Sequence, residues 1–531
     1  MTKPNGSLFQ RDCGILLHPT SLPNSFGIGD FGSSAHRWIN ELSNRGQSLW
    51  QILTLNPAGY GDSPYQGLSA FAANPIFLSP ESIHELGLID SEELLSLELP
   101  VGPSVDYEKV YANKLNLSKW AAKNFFALED ENPLRREYEL FVHREEKWIE
   151  DFALFSALKF NLGGEAWTSW PEDFRDRDSK TMRVAARDFA PDIQRIKMEQ
   201  FLLRRQWNAV REHAHAQGIR IIGDLPIFVA HDSADVWCRR DLFRLDAEGT
   251  PEVVAGVPPD YFSKTGQLWG NPLYNWTKHR EDHFAWWRRR LRTTLTWVDV
   301  VRIDHFRGFE SCWEVPGDAQ TAMDGRWIPA PGEEVFERFV EDWGIPLPVI
   351  AEDLGVITPE VVALRDLFQL PGIRVMQFAF GNDPMKNTFL PDSYDQNCVA
   401  YTGTHDNDTV VGWFNSVAEN GSTRSAEEID TERKNALDYF GGDGSAIHQD
   451  FIRSLYRSEC AAAIVPVQDV LGLDSDARMN TPGLSSGSWQ WRLSDYETLS
   501  SAMNDLQTCT TECRRGQFSE SHASMGSTAS G

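Results

Sequence analysis

The chain lacks any apolar run of 18 or more residues, and its start, Met1-Thr2-Lys3-Pro4-Asn5-Gly6-Ser7, holds no apolar stretch of the kind a signal peptide needs. Both absences lead to the expectation of a soluble, cytoplasmic protein with no membrane partner. Cysteine is sparse: seven residues, at 13, 238, 312, 398, 460, 509 and 513. An odd number with no Cys-x-x-Cys spacing argues against a disulfide framework or a zinc site and reads as reduced thiols. Positive charge is short as well. Fifty Lys and Arg against 77 Asp and Glu leave a formal net charge of −27, which argues against nucleic acid, because phosphates need cations to displace their counterions. A neutral ligand remains compatible.

What is present is a globular composition, 41% hydrophobic with 19 tryptophans, in a chain of 531 residues. That length accommodates three domains or one large barrel with insertions. Eight short apolar runs stand out: Gly14 to Leu17, Ser48 to Leu53, Ile219 to Pro226, Val298 to Asp304, Pro348 to Glu352, Gly372 to Ala379, Cys398 to Thr402 and Ala461 to Asp469. Helical patterns separate most of them, which is the alternation a (β/α)8 TIM barrel requires, with its active site where the strands end. Residues 1–79 begin the barrel. Residues 80–217, with amphipathic patterns over Tyr111 to Glu129, Arg135 to Leu158 and Asp192 to Ala216, read as a helical insertion. Residues 218–496 complete the barrel and include a long glycine-hinged loop near 250–275 that suits a lid. Ser, Thr and Gly accumulate towards the end, and 497–531 is expected to be a disordered tail.

Two tempting patterns are set aside. Gly27-Ile28-Gly29-Asp30-Phe31-Gly32 fits G-x-G-x-x-G, but it does not follow directly from a strand, and the next strand ends with no acid to hold a ribose. His213-Ala214-His215 has no further ligands beside it and reads as a solvated helix end.

The chemistry lies at the strand ends. Val298-Asp299-Val300-Val301-Arg302-Ile303-Asp304 turns from β-branched to charged, and residues two apart in a strand share a face, so Arg302 keeps Asp304 ionised. Ala351-Glu352-Asp353 and Thr404-His405-Asp406 repeat the pattern of an apolar strand closing on acids. If these ends converge, the three carboxylates cannot all stay ionised, and Glu352, with no cation in its own strand, is the one to hold a proton. An ionised nucleophile beside a protonated acid is what retaining glycoside chemistry uses. It needs neither metal nor cofactor.

The chain closely resembles the amylomaltase or disproportionating-enzyme family, 4-α-glucanotransferases related to α-amylases. The resemblance rests on His18-Pro19-Thr20-Ser21-Leu22-Pro23, Gly61-Asp62-Ser63-Pro64-Tyr65, Gly223-Asp224-Leu225-Pro226, Pro258-Pro259-Asp260-Tyr261-Phe262-Ser263, Arg302-Ile303-Asp304-His305, Ala351-Glu352-Asp353 and Gly403-Thr404-His405-Asp406-Asn407. It implies a barrel without a C-terminal β-sandwich, with Asp304 as nucleophile, Glu352 as acid/base and Asp406 as stabiliser of the distorted sugar. It further implies that Arg302, His305, Asp224 and His405 line the same sugar site, and that Ser63, Tyr65, Asp260, Gln267 and Trp269 contact donor or acceptor. The expected partners are α-1,4-glucans and maltooligosaccharides. An α-amylase-like hydrolase and a non-catalytic glucan-binding protein are the alternatives. One departure is Ser488 before Trp489, where the family carries Asn.

Overall fold

In a computed structural model of the chain, the described residues are 7–59, 61–259, 265–381, 386–418, 424–484 and 486–518. Twelve strands occur among them: β1 (Asp12–Leu16), β2 (Leu49–Gln51), β3 (Arg220–Pro226), β4 (Val253–Val257), β5 (Gln267–Pro272), β6 (Val300–Asp304), β7 (Ser311–Pro316), β8 (Arg326–Pro329), β9 (Val349–Ala351), β10 (Gly372–Val375), β11 (Cys398–Tyr401) and β12 (Ala462–Pro466). Eight of them close a barrel in the order β1-β12-β11-β10-β9-β6-β3-β2, and all its neighbours run parallel. Each of the eight apolar runs supplies one barrel strand, so the (β/α)8 expectation holds.

Strand alternation sorts the side chains into two sets. Leu16, Leu49, Ile222, Val300, Ile350, Ile373, Val399, Tyr401 and Ile464 pack together in the lumen. Their immediate neighbours Ile15, Trp50, Ile221, Val301, Val349, Ala400 and Val465 join the larger core under the helices. Both faces are therefore dry, which is why these strands read as unbroken apolar runs. Val300 is luminal, so Arg302 and Asp304 share its direction and rise towards the mouth at the C-terminal ends of the strands.

Between β2 and β3 the described residues form seven α-helices, from Pro80–Glu85 to Ala190–Ala216. Side chains start several of them: Asp90 and Glu93 form a reciprocal capping box, and Asn132 accepts from the Leu134 N–H at the start of Pro133–Asn161. The two longest, Pro133–Asn161 and Ala190–Ala216, pack on one another.

Two expectations need correction. The expected substrate loop near 250–275 is in part a sheet: Val253–Val257 and Gln267–Pro272 are strands of a second, antiparallel sheet ordered β5-β4-β7-β8. Its β-branched run Val253-Val254 lies outside the strand–helix alternation, so the barrel's periodicity does not reveal it. Residues 260–264 lie outside the described ones. The presumed tail also orders, at least as far as Phe518. Glu497–Glu512 is a helix whose Leu499, Met503, Leu506 and Thr510 are buried, a 4-3-4 spacing that places them on one face. Polar Ser and Thr on the outer face masked that stripe. Arg515, fully buried, then ties the chain to the carbonyls of Tyr456, Ser458, Cys460 and Asp12. The remainder of the expected tail, 519–531, lies outside the described residues.

Because Met503 is fully buried, Met503→Ala is expected to cost about 2–5 kcal/mol, read as a lowered midpoint of urea unfolding. A truly loose tail would leave that midpoint unchanged.

Candidate active site

Three neighbouring strands build the centre of the mouth. In the register of β3 and β6, Arg302 pairs with Asp224, and across β6 and β9 Ile303 pairs with Ala351. Asp304 and Glu352 each follow one residue later, so they leave adjacent strands whose spacing is about 4.8 Å. Asp406 comes from the loop after β11. Ser63, Tyr65, Gln267, Trp269, Arg302, Asp304, His305, Glu352, His405 and Asp406 line one cleft of about 350 Å³. Asp224 lies just beneath it as part of the same network. Asp260 falls outside the described residues.

Hydrogen bonds fix these groups. One nitrogen of Arg302, Nη1, donates to both Asp224 oxygens at 2.9 and 2.7 Å and to Asp304 Oδ1 at 3.0 Å. Tyr65 donates its hydroxyl to Asp224 Oδ2 at 2.5 Å. Glu352 accepts from the backbone N–H groups of His305, at 2.6 Å, and Leu354, at 3.0 Å. His305 is left-handed, with φ 52°, a costly conformation for a non-glycine residue that turns its N–H towards Glu352. Asn480 donates to Asp406 Oδ1 at 2.6 Å.

Burial pushes the carboxyls of Glu352 and Asp304 up from their ordinary values. Arg302 opposes the rise in both, but only Asp304 touches the guanidinium directly. The charge of Asp304 raises Glu352 further, so the shared proton rests on Glu352. Burial also keeps both imidazoles neutral: His305 falls to about 3, helped by Arg307, and His405 is lowered as well.

Flat surfaces surround the acids. Tyr65 stacks on His405 with ring centres 5.1 Å apart, and Trp489 leans on both at 5.8 Å. Trp269 meets His305 edge-on at 4.8 Å and donates its indole N–H to Gln267 at 3.2 Å. Trp327 and Phe378 form further wall. Ser63 accepts from the Tyr65 N–H at 3.3 Å, which holds that turn against the cleft. An ionised carboxylate next to a protonated one, inside walls of aromatic rings and hydrogen-bonding groups, can open and remake a glycosidic bond.

The sequence pattern of the 4-alpha-glucanotransferase family matches residues 17–499. The chain belongs to that family. Membership makes it an enzyme, a transferase acting on glucans. It is 47% identical to a 4-alpha-glucanotransferase of Thermus thermophilus over 91% of this chain and 95% of that one. It is 41% identical to the chloroplastic/amyloplastic 4-alpha-glucanotransferase of Solanum tuberosum, over 91% and 82%. Among solved structures it superposes on the amylomaltase from Streptococcus agalactiae in complex with acarbose with a TM-score of 0.89 and 36% identity, covering 96% of this chain and all of that one.

Sequence reading of this family member missed Asn480, Trp327 and Phe378. Asn480 stood in Arg478-Met479-Asn480-Thr481-Pro482-Gly483, a turn-rich segment that could have been flagged as a binding loop. Nothing local distinguished Trp327 or Phe378 from the other aromatics. Ser488 Oγ accepts from the Thr481 N–H at 3.3 Å, and Trp489, at φ 68°, lines the cleft.

Since Arg302 lowers both carboxyls, Arg302→Met is expected to move the acid limb of the kcat/KM pH profile upward by about 1–3 units and to cost about 3–5 kcal/mol of stability. An acid limb that stays in place would separate Arg302 from the ionisation of Asp304.

Proposed function

We propose that the enzyme transfers α-1,4-glucan segments between maltooligosaccharides, or starch- and glycogen-type glucans, by a retaining double displacement. Asp304 attacks the anomeric carbon of the donor while Glu352 gives its proton to the departing 4-oxygen. The covalent glycosyl-enzyme then meets an acceptor. Glu352, now ionised, removes the proton from the acceptor's 4-hydroxyl, whose oxygen displaces Asp304 and restores the α-configuration. Asp406, held by Asn480, takes hydroxyls of the sugar as its ring flattens. Arg302, Asp224 and Tyr65 keep the nucleophile aimed, and His305 and His405 serve as neutral partners for sugar hydroxyls. Ser63, Gln267, Trp269 and Asp260 hold donor and acceptor. The observation that carries this reading is the unequal environment of two adjacent carboxyls, with a guanidinium on Asp304 and backbone N–H groups on Glu352.

Transfer requires that sugar reach the intermediate before water does. The rings of Trp269, Trp327, Phe378 and Trp489 around the cleft favour a stacked acceptor over free solvent. The reading places the enzyme in the cytoplasm, in starch or glycogen metabolism, where reduced thiols and neutral glucans both occur; no helix among the described residues is long and apolar enough to cross a membrane.

Asp304→Asn is expected to lower turnover by at least about 10³-fold while glucan binding persists. Wild-type enzyme given maltotriose alone should yield a ladder of longer products with little gain in reducing ends. Simple shortening of maltotriose would mark a hydrolase. Because Glu352 must carry a proton, activity should fall as pH rises through its displaced value, and Glu352→Gln should abolish that alkaline limb.

A further inference from the structure

The end of the barrel opposite the cleft gathers sulfur and positive charge. Cys13 lies near the start of β1, Cys398 opens β11, and Cys460 stands two residues before β12, so all three sit at the N-terminal rim. The helix Glu497–Glu512 brings Cys509 to that rim, and Cys513 follows at its C-terminal cap. Five of the seven cysteines, dispersed in sequence, thus share one region.

Cys509 and Cys513 are four residues apart on one helical face, and the Cys513 N–H donates to the Cys509 carbonyl at 3.0 Å. Four residues rise about 6 Å along a helix, within the span of roughly 4.4–6.8 Å that a disulfide tolerates between Cα atoms. Both side chains are half-buried, which leaves them open to a small reagent. The helix C-terminus alone would disfavour an anion here. Guanidinium groups reverse that. Arg515 is fully buried and donates to the carbonyls of Asp12, Tyr456, Ser458 and Cys460 and to Cys460 Sγ. Arg11 donates to the carbonyls of Ser458, at 3.2 Å, and Cys513, at 3.2 Å. These acceptors are neutral, so the hydrogen bonds themselves do not neutralise the two guanidinium charges. Arg457 and Arg453 face the same two sulfurs, the latter alongside Asp450 at 3.8 Å. Glu459, exposed, faces Arg11. A hydrogen bond from the Cys509 thiol, followed by the charges of Arg457, Arg515 and Arg11, holds the Cys513 thiol below its ordinary value. Cys509 is correspondingly raised.

We propose that Cys513 and Cys509 form a thiol–disulfide exchange site for low-molecular-weight disulfides, with Cys513 as the attacking sulfur and Cys509 as the resolving one. The Cys513 thiolate attacks one sulfur of R–S–S–R. The Cys513–S–R bond forms, the S–S bond breaks, and RS⁻ leaves and takes a proton from solvent. Cys509 then gives up its proton and attacks Cys513 Sγ, which forms the Cys509–Cys513 bond and expels the second RS⁻. Two electrons pass from the dithiol to the small disulfide, giving one protein disulfide and two RSH. The pair lies at the far end of the barrel from Asp304, so this chemistry is separate from glucan transfer.

The test uses the full-length enzyme and hydroxyethyl disulfide at pH 7, with peptide mapping by mass spectrometry. Wild type should lose two hydrogens as a Cys509–Cys513 disulfide without a retained adduct. Cys509→Ser should hold a stable hydroxyethyl adduct on Cys513, and Cys513→Ser should leave Cys509 unmodified, both with maltotriose transfer intact. In untreated wild type, which avoids any folding defect of a variant, iodoacetamide should alkylate Cys513 at least about tenfold faster than half-buried Cys238. Equal alkylation rates, adducts appearing first on other cysteines, or a persistent Cys513 adduct in wild type would each overturn the proposal.

Discussion

A buried guanidinium, that of Arg302, is the constraint on which the cleft depends. It is 4% exposed and shares one nitrogen between Asp224 and Asp304. A cation taken out of water is tolerable only where carboxylates surround it, and carboxylates crowded at a dry barrel mouth are tolerable only where a cation divides them. Each requirement answers the other. Asp224 anchors Arg302 from β3 and is itself anchored by Tyr65, which leaves Asp304 as the acid that meets the cleft. Negative charge still exceeds positive there, and the proton that balances it settles where the guanidinium does not reach, on Glu352.

Barrel geometry makes that division reproducible. Side-chain direction alternates along a strand, so the parity that makes Val300 luminal also makes Arg302 and Asp304 luminal. A slip of one residue in the β3–β6 register would send Arg302 under the helices and Asp224 out of its reach. The dry packing on both sides of the strands is therefore part of the chemistry, since it holds the register. His305 adds a local device. Its left-handed backbone directs an N–H to Glu352, and such a conformation persists only because β6 and the turn after it are fixed at both ends.

The barrel and its three central acids were legible because both follow periodic or local rules: apolar runs of strand length for the one, carboxylates closing those runs for the other. Arg302 beside Asp304 needed only the two-residue repeat of a strand. The partnership of Arg302 with Asp224, 78 residues earlier, could not be read that way, because register between strands is set by packing across the whole barrel. The sheet containing β4 and β5 was missed for a related reason, since its strands obey antiparallel pairing amid a pattern dominated by strand and helix. The final helix failed differently. Leu499, Met503 and Leu506 carry a genuine helical stripe, which a bulk composition rich in Ser and Thr conceals.

The two rims of the barrel show one principle with opposite signs. Parallel strands bring every N-terminus to one end and every C-terminus to the other, so residues remote in sequence become neighbours wherever strands begin or end. At the C-terminal rim, acids gather around Arg302, and excess negative charge is relieved by a proton. At the N-terminal rim, arginines gather around buried carbonyls and sulfurs, and the Cys513 thiol, hydrogen-bonded by Cys509 and facing Arg457, Arg515 and Arg11, is held below its ordinary value. Arg515 makes the second arrangement possible by spending its hydrogen bonds on neutral carbonyls, which satisfies its geometry without neutralising its charge. In each case the reactive group is the one left to balance a charge that the fold has already fixed in place.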